Sequence, residues 1–114
     1  MAGPRRVVRG DQFLEAARRY FPPGGSAEGS PSFELFEERI LLIAERRMSE
    51  SYEDLPEALV GTGIRFVMTH AVPYFPALVI YGMLVAIGAE EVIELVDVVI
   101  DEDYFDTIEN DPDF

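Results

Sequence analysis

Apolar positions along this chain follow two different periods, and the change between them falls at Gly61-Thr62-Gly63. Before it the spacing is helical. Phe13, Leu14, Ala17, Tyr20 and Phe21 recur on one face, which predicts a helix from Asp11, a capping residue, to about Phe21, where Pro22-Pro23 stops it. The turn formers of residues 22–32 predict an exposed connector. Ser30 followed by Pro31 predicts the start of a second helix, because the hydroxyl caps it and proline loses nothing at the first helical position. That helix runs to about Met48. Phe33, Phe36, Ile40, Ile43 and Arg47 share one face, widened by Leu35 and Leu42, and Glu34, Glu37, Glu38, Glu45 and Arg46 lie opposite. Ser51 and Asp54 can cap one more turn, interrupted by Pro56.

After Gly63 the pattern becomes extended. Residues Ile64–Ala71, Ala77–Ile87 and Val92–Ile100 read as three strands, the first two joined by Pro73-Tyr74-Phe75-Pro76 and the last two by a hairpin turn at Gly88-Ala89-Glu90-Glu91. The middle strand is apolar on both faces, as a central strand covered on both sides would be, and Gly82 within it marks a bulge or a close packing contact. Arg5–Arg9 is a candidate short strand ahead of the first helix. The expected class is α+β, with two N-terminal helices packed on an antiparallel sheet of three to four strands. The expected organisation is one domain over residues 1–104 and an acidic tail over 105–114.

Charge sharpens this picture. The net charge is −13, all nine basic residues are arginine, and the last is Arg65. Residues 66–114 hold eleven acids and no base, so this half should repel a phosphate backbone and an anionic membrane surface. Such a half suits either solubility or a basic protein partner. Residues 66–89 lack formal charge and are long enough to span a bilayer, but Pro73, Pro76 and His70 interrupt them and their β-branched and aromatic content favours strands, so no membrane association is expected. Cysteine is absent, which fits a reducing cytoplasm, and the basic first ten residues lead into Asp11 and an amphipathic stretch, not the apolar core of a secretory signal.

Candidate chemistry is sparse. His70 is the single histidine, no serine sits in a nucleophile elbow, and the acids from Asp101 to Asp113 lack the spacing and central glycine of a calcium loop; no metal and no cofactor is expected. Arg18-Arg19 and Arg46-Arg47 read as polar-face pairs that form i,i+4 ion pairs or stay solvated. The last fourteen residues, DEDYFDTIENDPDF, mix seven acids with Tyr104, Phe105, Ile108 and Phe114, a composition suited to a docking segment.

The element order, with Gly63-Ile64-Arg65-Phe66 opening the meander, Ala77-Leu78-Val79-Ile80-Tyr81 in its middle strand and Val92–Ile100 closing it, resembles the RelE/ParE superfamily of bacterial type II toxins. The resemblance implies either ribosome-dependent mRNA cleavage or inhibition of DNA gyrase, and an antitoxin partner. The ribonuclease branch places basic residues on the sheet and near the C-terminus. Here the strand carries Val67 and Thr69, the end of the sheet is Asp101-Glu102-Asp103, and Tyr104 alone answers to the late aromatic. Phosphate chemistry without cations lacks its main source of charge stabilisation. The resemblance therefore implies a protein-binding toxin, not a nuclease. The alternative is an acidic inhibitor, immunity protein or nucleic-acid mimic that covers a basic surface. The residues singled out for partner binding are Arg65, Tyr81, Asp101, Asp103, Tyr104 and Phe105. An exposed final strand, Val92–Ile100, is the expected route to a homodimer.

Overall fold

The structure is a computed structural model that describes residues 4–101. Its elements are β1 (Val7–Arg9), α1 (Asp11–Tyr20), α2 (Phe33–Phe36), a π turn (Glu37–Leu41), α3 (Leu42–Ser51), a 3-10 turn (Tyr52–Asp54), β2 (Ile64–Met68), β3 (Leu78–Ile87) and β4 (Glu90–Ile100). The α+β class is as expected. The sheet, ordered β1-β4-β3-β2, is mixed and not purely antiparallel: β3 pairs antiparallel with both neighbours, while β1 lies parallel to β4 with Val7 opposite Ile93 and Arg9 opposite Leu95. This corrects the reading of the final strand as an exposed edge. Strand β4 is interior, and the sheet edges are β1 and β2. The expected acidic tail at 105–114 lies outside the described residues.

Local chemistry accounts for the hairpin. Gly88 joins β3 to β4 with a φ of 62°, the left-handed value that the first central position of a two-residue type II′ turn requires. Gly82 meets both expectations. The ladder slips between Tyr81 and Gly82, so that Val96 is extra on β4, and a Cβ at Gly82 would lie 2.6 Å from Met48 Sδ and 3.1 Å from Ile93 Cγ2. The α3 segment therefore seats Met48 directly on the sheet because residue 82 has no side chain.

Both helical segments cover one face of the sheet. Phe13, Ala16 and Ala17 of α1, together with Phe21, join Phe36, Leu41, Ala44 and Met48 of the long helix over Val67, Leu78, Ile80, Ile93, Leu95 and Val98 in one buried cluster. Phe21 stacks on Phe36 with ring centroids 4.9 Å apart and meets Phe75 edge-on at 5.4 Å. The register puts Ile64, Phe66, Met68, Val79, Tyr81 and Met83 on the opposite face, where they are half-buried or exposed, so β3 is helix-covered on one side and not on both.

Two helix details differ from the sequence reading. The second helix starts two residues later than Ser30 predicts: Ser32 is the N-cap, its Oγ accepting the Leu35 N–H at 3.1 Å. The helix then changes phase. The Leu42 N–H donates to the Glu37 carbonyl, five residues back, and this π turn takes in one extra residue. An unbroken α-helix would bury Phe33, Phe36, Ile40, Ile43 and Arg47. Past the turn the buried stripe is instead Leu41, Ala44 and Met48, while Ile43 is 69% exposed.

Candidate cleft between the long helix and strand β2

The phase change shapes the most distinctive surface of the molecule. Three adjoining hollows of about 330, 280 and 230 Å³ run between the long helix and the β2 edge. Arg39 and Val72 belong to the first two, and Arg47, Val67 and Met68 to the last two, so the hollows form one cleft. Ile40, Ile43, Ala44 and Val67 provide an apolar floor. At one end stands Tyr74, 82% exposed, and at the other Leu55, Pro56 and Phe66.

The electrostatics of the rim follow from where the other arginines are engaged. Arg5 meets Glu53 and Glu91, Arg6 meets Glu90, Arg9 meets Glu37 and Glu45, Arg19 meets Glu15, and Arg46 meets Glu50. The guanidinium of Arg18 lies 5.3 Å from the centre of the Phe33 ring. Arg65 donates to the Glu53 carbonyl at 3.1 Å and to the Leu55 carbonyl, and stands over the Tyr52 ring at 5.5 Å. Arg39 and Arg47 remain, and neither has an acid partner among the described residues. Both line the cleft. Their helix positions explain this: residues four before and after Arg39 are Leu35 and Ile43, and those around Arg47 are Ile43 and Ser51.

Tyr74 carries backbone strain. It is the only non-glycine residue with positive φ among the described residues, at 77°, in the turn closed by reciprocal Val72 and Phe75 hydrogen bonds of 3.0 Å. Pro73 suits the first central position of a type II turn, and the second calls for glycine. An exposed aromatic held in that conformation at the mouth of a cleft is a feature that folding alone does not require.

The sequence-selected residues fall elsewhere. Arg65 braces the 3-10 turn against β2 and is not part of the cleft. Tyr81 lies on the helix-free face of the sheet, its ring 6.2 Å from that of Phe66, above a shallow groove of about 390 Å³ shared with Ile64, Val96, Asp97 and Val99. Asp101 directly follows β4, its N–H donating to the Ala77 carbonyl at 2.8 Å. The calls on Asp103, Tyr104 and Phe105 lie outside the described residues. His70, the single histidine, lines the cleft beside Thr69. Reading by position missed Arg39 and Ile43 as surface residues of a site. The signal available was the lack of acids four residues from Arg39 and Arg47.

The candidate site is thus a basic-rimmed apolar cleft, and neither a family model, nor a curated protein, nor a solved structure shows a significant match to this chain.

Proposed function

We propose that this chain acts by binding a partner protein through the cleft between the long helix and β2. One observation carries the reading: Arg39 and Arg47, for which neither an acid, a backbone carbonyl nor an aromatic ring serves as partner among the described residues, converge on one apolar hollow, in a protein whose net charge is −13. Elsewhere the described arginines are engaged at short range, five by carboxylates and Arg18 and Arg65 by aromatic rings or backbone carbonyls. Unneutralised cations beside exposed Ile43, Met68 and Val72 make a surface matched to an acidic and partly apolar partner.

Within this reading a toxin-like role with a RelE/ParE-like fold, held in check by an antitoxin, is favoured over an inhibitor of a basic protein. The cleft is complementary to acids, whereas an inhibitor of a basic protein would present carboxylates there. The test places a photo-crosslinking amino acid at Ile43 and, as a control, at exposed Leu59, and expresses each chain in cells with and without a candidate antitoxin. A discrete adduct from position 43 alone supports cleft binding, and equal labelling from both positions refutes it. Growth arrest by the chain alone, lost in Ile43→Asp, supports the toxin role; harmless expression of the unmodified chain rules that role out.

A further inference from the structure

We propose that the cleft takes an extended peptide segment of the partner, with acidic side chains four residues apart and an apolar one midway, which adds to the sheet at Met68. This inference rests on the protein-binding reading and specifies its ligand.

The strand edge supplies the first argument. Thr69 donates to the Leu78 carbonyl, so in this antiparallel ladder Val67 and Arg65 also bond to β3, while the amides of Phe66 and Met68 point outward. The chain covers part of that edge itself. The Phe66 N–H goes to the Pro56 carbonyl at 3.2 Å, and the Ile64 carbonyl accepts the Ala58 N–H at 2.8 Å. Beyond Phe66 no such cover is found among the described residues, and Met68, 49% exposed and with its amide directed outward by the ladder, lines the cleft. A hollow bounded by a helix on one side and an open strand edge on the other is suited to an added strand.

Spacing supplies the second. Arg39 and Arg47 are eight residues apart, about 12 Å along a helix at 1.5 Å per residue. In an extended peptide, side chains on one face recur about every 6.7 Å, so the first and fifth residues are separated by about 13 Å. Carboxylates at these two positions match the two guanidinium groups. The third residue then falls midway, over Ile40, Ile43 and Ala44, where an apolar side chain would be removed from water.

The probe is a fluorescein-labelled peptide, Gly-Glu-Ala-Phe-Ala-Glu-Gly, titrated against the full chain by fluorescence anisotropy. Saturable binding should weaken about tenfold for each of Arg39→Glu and Arg47→Glu. A peptide with lysines in place of the glutamates should bind the doubly reversed chain and not the original, an exchange that a merely structural role of the arginines would not produce. Moving the acids to three-residue spacing, or N-methylating two successive central amides, should each abolish binding. Binding that tolerates N-methylation or the altered spacing overturns the inference but leaves the protein-binding reading intact, as does failure of the peptide alongside a specific Ile43 adduct. Residues 102–106, Glu-Asp-Tyr-Phe-Asp, carry the same pattern in this chain. If the peptide binds only after Glu102→Lys and Asp106→Lys, the occupant is this chain's own segment and the partner proposal fails.

Discussion

The long helix meets the sheet along two seams, closed by different chemistry. Toward β1, Arg9 bonds both carboxylate oxygens of Glu45 at 2.9 Å and also meets Glu37, Arg5 meets Glu53 and Glu91, and Ser49 Oγ donates to the Arg5 carbonyl at 2.6 Å. The Arg9 guanidinium has its pKa raised, chiefly by the hydrogen bonds to Glu45, and remains charged throughout the accessible pH range. Toward β2 the same helix presents Arg39 and Arg47 without acid partners among the described residues, beside exposed apolar side chains. The charges are of one kind on both sides. The first seam uses them to hold two elements together, and the second leaves them available. A salt bridge at the first therefore says little about function, whereas the missing one at the second says a good deal.

The contrast depends on the π turn, and the largest test addresses it. Leu41→Ala should destabilise by about 3 kcal/mol, because Leu41 is buried, while Ile43→Ala should cost less than about 0.5 kcal/mol. Denaturant titration of both variants measures this, and equal losses would mean that Ile43 belongs to the core after all. Next, Arg9→Ala should cost about 2 kcal/mol, since it leaves Glu45 largely buried and unpaired, whereas Arg39→Ala and Arg47→Ala should each fall within about 0.5 kcal/mol of the parent. A costly Arg47→Ala would dissolve the distinction between the seams.

A smaller change of opposite sign is expected at the cleft mouth. Tyr74→Gly should raise stability by about 1 kcal/mol, because glycine tolerates the positive φ, yet weaken partner capture. Thermal melts combined with crosslinking from position 43 test both halves. The smallest effect concerns pH at the closed seam. The hydrogen bond from Arg5 holds the Glu53 carboxyl below its ordinary range. Its contribution is therefore present above the unfolded carboxylate pKa, about 4.3, and disappears as pH falls through the lower folded value. The difference in melting temperature between Glu53→Gln and the parent should be small at pH 7 and vanish in acid.

Those outcomes also bear on what could be read without coordinates. The helix signals after Asp11, the three β-segments after Gly63, the turn at Gly88 and the tight spot at Gly82 are all encoded locally, by period or by the one residue type that fits. The pairing of β1 with β4 joins residues more than eighty positions apart, and three residues of alternating pattern do not identify their partner. The π turn has no local signature either. It lets Ile40 and Leu41 both reach the core, a packing demand that appears only when the sheet is in place. Because the cleft depends on that turn, it was hidden as well. The sequence did show which arginines lacked acids at helical spacing, but not that two of them would share a hollow.

The π turn has a genetic consequence. Removing one codon from the stretch encoding Glu37–Leu41 would restore a continuous α-helix in which Phe33, Phe36, Leu41, Ala44 and Met48 follow unbroken 3.6-residue spacing, so the interior tolerates the loss in principle. The residues on either side would keep their present faces, so the change would be confined to the turn itself, where Arg39 and Ile40 line the cleft. A one-residue length difference at this point is thus a small heritable change able to alter the Arg39 end of the cleft while keeping the same interior and leaving Ile43 and Arg47 in place.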